Sequence, residues 1–115
     1  MTSAEIHTAM KNRILDAITR MPDVFAWNNP TGVYCPVGRP ESRIRVGNPG
    51  AADILGAAGK RGTMFGIEVK TGGGTQDPDQ IKWQAKLESV GGYYFVCHDV
   101  REALEAITAI KLRTK

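Results

Sequence analysis

Cysteine and histidine are scarce in this sequence, and long apolar runs are missing. Each absence removes a class of protein. Only two cysteines and two histidines occur in 115 residues. Cys35, Cys97, His7 and His98 lack the close paired spacings of a zinc site, so no structural zinc module is expected. One disulfide is arithmetically possible, but the opening MTSAEIHTAMKNR is polar and lacks the apolar run of a signal peptide. The expectation is a cytoplasmic chain with both thiols reduced. No stretch approaches the roughly 18 apolar residues of a membrane span, so no membrane partner is expected. There is no internal repeat. The glycine run Gly72–Gly74 lacks the lysine and the strand–loop–helix spacing of a nucleotide-binding P-loop.

What is present fits one ordinary globular domain over residues 1–115. The hydrophobic fraction of 42% and charged fraction of 23% argue against disorder outside the termini. A chain this short buries a thin core, which favours an oligomer. The formal net charge of +3 permits an anionic partner such as nucleic acid without demanding one.

Residues 3–21 read as an amphipathic helix, because Ile6, Met10, Ile14 and Ile18 recur every four positions. Ser3 is the expected N-cap, and Met21-Pro22 the stop. Val24–Trp27 reads as a strand. The stretch from Asn28 to Gly50 is rich in proline and glycine, with a short strand where Ile44 and Val46 alternate with Arg43 and Arg45. Residues 52–56 and 64–69 read as a hairpin around the Gly59–Gly62 turn. Residues 77–90 read as a helix with Asp77 as N-cap, Pro78 at its first position and Gln80 at the capping-box position. It is apolar on two faces, so cover by the sheet and by a partner chain is expected. Tyr93–Cys97 reads as a strand buried on both faces, and Asp99 caps a last helix. The order helix, strands, helix, strand, helix describes a mixed α/β fold with one central sheet.

The chemistry-bearing residues gather around the third strand. Glu68 and Lys70 point to one face by strand alternation, and Val69 to the other. Asp53 opens the preceding strand, so hairpin pairing carries it towards Glu68. Two converging carboxylates, with the Val69 carbonyl, suit a hard cation that keeps positions for water and phosphate oxygens. Lys70 is placed to orient a water or to stabilise charge on phosphoryl oxygens. An E-x-K triplet by itself is an ordinary surface ion pair. This one ends an apolar strand, follows an upstream acid and precedes a glycine loop, which reads as a lip beside an active site.

Taken together, Gly50-Ala51-Ala52-Asp53-Ile54-Leu55-Gly56, Gly66-Ile67-Glu68-Val69-Lys70-Thr71, Gln76–Gln80 and Gly91-Gly92-Tyr93 resemble the VRR-NUC (virus-type replication-repair nuclease) branch of the PD-(D/E)xK superfamily. The resemblance spans roughly residues 5–110. It implies a restriction-endonuclease-like mixed sheet flanked by helices, with an α-β-β-β-α-β core. It also implies a metal-dependent, structure-specific DNA endonuclease resembling Holliday-junction resolvases. The implied cofactor is Mg²⁺ or Mn²⁺, the implied assembly a homodimer acting on branched or four-way DNA, and the implied source a phage. Carried over by position, Asp53, Glu68 and the Val69 carbonyl hold metal, and Lys70 is the catalytic lysine. Gln80 matches the helix glutamine, and Glu5 the acid of the first helix. Ala52 stands where the superfamily's named proline precedes the aspartate. Arg39, Arg43, Arg45, Lys60 and Arg61 are candidate phosphate contacts; Tyr34 and Trp27 are candidate stacking platforms, with core or hairpin packing the favoured reading of both. For Gln80 a purely structural role in the capping box stands beside the functional one. His7 and His98 lack a partner motif and are expected at the surface or beside a cap. The reading from another class is a non-catalytic DNA-binding module that keeps the fold and not the reaction.

Overall fold

Apolar residues at four-residue spacing form a helix over Ser3–Thr19 (α1). Its N-cap is Thr2, one residue before the expected Ser3, and the Thr2 side chain accepts from the Glu5 N–H. It stops two residues before Met21, ahead of Pro22. Asp23 then turns the chain in a left-handed conformation (φ 61°). The computed structural model describes residues 1–30, 32–39 and 41–115, without the side chains of residues 32–34 and 45.

The remaining elements are β1 (Val24–Asn28), β2 (Gly32–Tyr34), β3 (Ile44–Val46), β4 (Ile54–Ala58), β5 (Thr63–Val69), α2 (Pro78–Ser89), β6 (Tyr93–Cys97) and α3 (Val100–Arg113). Four strands form one mixed sheet in the order β1-β4-β5-β6. β1, β4 and β5 are antiparallel neighbours, whereas β6 lies parallel to β5 after the α2 crossover. The expected short strand at Ile44–Val46 exists, and it pairs with β2 in a separate ribbon. The fold is therefore the expected mixed α/β sheet flanked by helices. Among the described residues no helix is long and apolar enough to cross a membrane.

Alternation along β5 builds two cores. Phe65, Ile67 and Val69 join Ile14 and Ile18 of α1 and Ala103, Ile107 and Ile110 of α3 in the larger one. The opposite face carries a smaller cluster of Ala52, Leu87 and Tyr94, backed by Leu55, Trp83 and Val96. Among the described helices, α2 is the one that covers that face. Within the chain the sheet supplies the expected cover on one side of the helix, and Ile81 is 54% exposed and Val90 81% on the rest. A helix alone on one side of a sheet has a single wall to pack against. β6 is an edge strand, so it is not fully buried on both faces, and only Tyr94 and Cys97 are buried along it. Far from α2, Phe25 and Trp27 of β1 stand exposed with ring centroids 5.3 Å apart.

Two glycines let the chain close up where α2 docks. Gly50, at φ 81°, lies so close to the Asp79 carbonyl that any Cβ would collide with it. A Cβ on Gly66 would lie 2.9 Å from the Ala52 Cβ and 3.1 Å from the Trp83 ring. Trp83 thus rests on bare backbone of β5. The buried loop Ala51-Ala52 also explains why β4 begins at Ile54 and not at residue 52.

Gly66→Ala is expected to cost about 1–3 kcal/mol by overpacking. Gly73, with nothing within 4 Å of its would-be Cβ, should tolerate alanine within about 0.5 kcal/mol. Urea denaturation of both variants checks this, and equal midpoints would refute the seating of Trp83 on Gly66.

Candidate active site

The end of β5 carries the site. Glu68 faces the α2 side and is 6% exposed, which is unusual for a carboxylate. The β4–β5 register pairs Ile54 with Ile67 and so sets Asp53, just before β4, opposite Glu68. The Asp53 Oδ2 accepts a 2.8 Å hydrogen bond from the Val69 N–H. Lys70 Nζ lies 3.8 Å from Glu68 Oε2, and both side chains are largely shielded. The Lys70 N–H donates to the Cys97 carbonyl, which extends the ladder one residue and fixes the lysine's origin.

Gln80 has two jobs at once. Its Oε1 accepts from the Asp77 N–H at 3.0 Å, completing the capping box with Asp77 Oδ1 and the Gln80 N–H. That orients the amide so that Nε2 donates to Glu68 Oε2 at 2.9 Å. Gln80 thus completes the capping box through Oε1 and reaches the Glu68 carboxylate through Nε2. In the last helix the corresponding box is offset: Asp99 accepts from the Glu102 N–H, but Glu102 reaches the His98 N–H instead of Asp99.

Burial first, and then the Asp53 carboxylate, push the Glu68 carboxyl up to about 8, against the opposing charge of Lys70. Next to it, the buried Tyr94 hydroxyl has no hydrogen-bond partner among the described residues. Gln76 stands near it, with its amide donating to Gln84. Burial, with added repulsion from Glu68, Asp53 and Asp77, raises the Tyr94 phenol to about 12. The phenol therefore stays protonated near neutral pH and lies within the field of the acids.

His7 belongs to this site, contrary to the surface position expected for it. Its Nε2 lies 2.9 Å from the Val69 carbonyl oxygen and 3.4 Å from Asp53 Oδ2. Glu5 does not join it. Glu5 is exposed, and its carboxylate accepts from Thr2. The reason is helical geometry. His7 precedes the fully buried Ile14 by seven positions, which puts them on nearly the same face, whereas Glu5 precedes it by nine, about 180° away. The periodicity of α1 held this signal.

The expected phosphate contacts divide. Lys60 and Arg61 sit in the β4–β5 turn, beyond the Ala58–Thr63 pair and at the opposite end of the hairpin from Asp53 and Glu68. They line a cleft with Asp23, Lys111 and Lys115. A strand rising about 3.4 Å per residue carries them away from the site. Arg39 and Arg43 are exposed in the segment that joins β2 and β3. The side chains of Tyr34 and Arg45 lie outside the described residues. Gly74 passes Lys70, where an added Cβ would lie 3.5 Å from the lysine Cδ, so the glycine loop does adjoin the site. Trp27 is half-exposed and paired with Phe25, not packed in the core.

Among the described residues no three His, Cys, Asp or Glu side chains close on a single point. The donors at the end of β5 are two carboxylates and a main-chain carbonyl. Such a set fits a hard divalent cation, which takes oxygen ligands and keeps positions for water and substrate. The negative charge that raises Glu68 is the charge such a cation would oppose.

The elevated Glu68 couples stability to pH. Between about 4.5 and 8 the folded chain holds a proton that the unfolded chain has released. In EDTA, stability should therefore decline as pH rises through that window and level off above it. Thermal melts from about pH 5 to 9 should show this decline in the wild type and a flatter profile in Glu68→Gln. Parallel profiles for the two would remove the buried carboxyl as the cause.

No protein-family model matches the chain, and no curated protein matches it significantly, so the functional reading rests on the residues and geometry of this site.

Proposed function

We propose that this chain is a metal-dependent DNA endonuclease of the VRR-NUC type, within the PD-(D/E)xK superfamily. The observation that carries the reading is a buried Glu68 held by Gln80 and set between Asp53 and Lys70 at one strand end. A fold has little use for this arrangement by itself, because the buried carboxylates repel and a large part of the Coulombic gain is lost to desolvation. A phosphodiester hydrolase has use for all of it.

Asp53, Glu68 and the Val69 carbonyl would hold Mg²⁺ or Mn²⁺. When bound, the cation polarises the phosphodiester and lowers the pKa of an attacking water. The chain's own groups do the remaining work. The Val69 N–H fixes one Asp53 oxygen. Gln80 locks the Glu68 rotamer through a helix cap, so that the carboxylate is presented without freedom to swing away. Lys70 places a positive charge beside the acids, where it orients water or stabilises developing charge on the phosphoryl oxygens. The glycine loop beside Lys70 leaves room for a substrate backbone to approach. We take the substrate to be branched DNA cut by a homodimer, since two-fold symmetry presents two sites to the two equivalent strands of a four-way junction.

The test incubates labelled four-way junction and matched duplex with Mg²⁺, Mn²⁺ or EDTA. Metal-dependent cutting is expected, with preference for the junction, and with a loss of about 100-fold or more in Asp53→Ala and Lys70→Ala. Folded wild-type protein that binds DNA with salt-dependent affinity yet cuts neither substrate would replace this reading by a non-catalytic DNA-binding module.

A further inference from the structure

The proposed reaction gives His7 no role. His7 reaches the end of β5 from a different layer of the fold. α1 packs on the α3 side of the sheet through Ile14 and Ile18, which are fully buried, while Ile6 near its start is 45% exposed. The first turns of α1 therefore extend past the packed core, and His7 turns in over the strand end. Its ring is half-buried.

Three potential donor atoms meet there. His7 Nε2 lies 2.9 Å from the Val69 carbonyl oxygen and 3.4 Å from Asp53 Oδ2. Ligands on neighbouring vertices of a six-coordinate cation of this size stand about 3 Å apart, since the bonds are about 2.0–2.3 Å long and at right angles. The separations in the structure have that length.

Resting on the nuclease reading above, we infer that His7 Nε2 is a ligand of the catalytic cation, and that this nitrogen biases the site towards Mn²⁺ over Mg²⁺. Imidazole binds transition-metal ions, and affinity at a mixed nitrogen–oxygen site rises along the transition series. Mg²⁺ prefers oxygen and sheds water reluctantly, so a nitrogen donor adds little for it. Both neighbours of Nε2 are acceptors, so this nitrogen carries the proton in the metal-free chain. Ligation moves that proton to Nδ1 and frees the Nε2 lone pair for the cation. The ring keeps one proton and no net charge is transferred. Glu68, held by Gln80, approaches the same region from the α2 side.

The experiment uses the whole chain and Mn²⁺ as the probe. Electron spin-echo modulation detects a directly bound imidazole nitrogen independently of any cutting assay. The chain has only two histidines, so His7→Ala separates His7 from His98. The expected result is nitrogen modulation in the wild type that vanishes in His7→Ala, while His98→Ala retains it. Calorimetric titration should show Mn²⁺ affinity falling about 10–100-fold in His7→Ala, the range for a disturbed metal-site residue, with Mg²⁺ affinity changed less than about 3-fold. His7→Asp, which puts an oxygen donor in place of the nitrogen, should bind Mg²⁺ at least as tightly as the wild type and show no nitrogen signal. Mn²⁺ bound in an Asp53-dependent way without nitrogen modulation would overturn the inference and leave the nuclease reading intact. No Asp53-dependent binding of either ion would overturn both.

Discussion

The hydrogen bond from Gln80 Nε2 to Glu68 Oε2 links the main parts of the candidate site. It places a helix cap and a buried carboxylate in one contact. α2 can start only where Asp77 and Gln80 close their box, and that start is where the Glu68 oxygen needs a donor. Gly50 and Gly66 allow the helix to come this close, the first by admitting the Asp79 carbonyl and the second by admitting Trp83. A buried acid without such a donor would cost more than a small domain can bear.

Around that contact the site is assembled from layers with different loyalties. β5 supplies Glu68 and Lys70 to the α2 face and Val69 to the main core. The segment before β4 brings Asp53 across by register. α1, packed on the far side, sends His7 past the strand end. Each element is held by apolar packing some distance from the acids. The charged groups can therefore sit in a mutual arrangement that lowers stability, with the raised Glu68 as its sign. Local cost at a site, offset elsewhere in the fold, is the common pattern for catalytic constellations.

The large exposed aromatic pair on β1 has the same origin as the incomplete cover of α2. One helix cannot roof four strands, so the face beyond Trp83 stays open at Phe25 and Trp27. The β2–β3 ribbon, with Arg43 in its approach, is a second feature outside the packed layers. Lys60 and Arg61, by contrast, belong to the opposite end of the sheet.

Much of this was legible in the residues themselves. Period-four spacing found α1, short apolar and β-prone runs found β5 and β6, and the Asp77-Pro78-x-Gln80 pattern found the start of α2, because these signals are local in the chain. Alternation also put Glu68 and Lys70 on one face with no reference to anything else. The offset of β4, the pairing of β2 with β3 and the one-sided cover of α2 depend on which distant segments meet, and no local pattern encodes that. Glu5 and His7 show the boundary most clearly. The helical period already separated them by face, yet only the docking of α1 decided which face would overhang the end of β5. The sequence by itself determined which side chains could act together along one strand or one helix. The tertiary structure alone decided which of those sets would converge, because convergence depends on where rigid elements cross, and crossing is settled by the packing of whole faces.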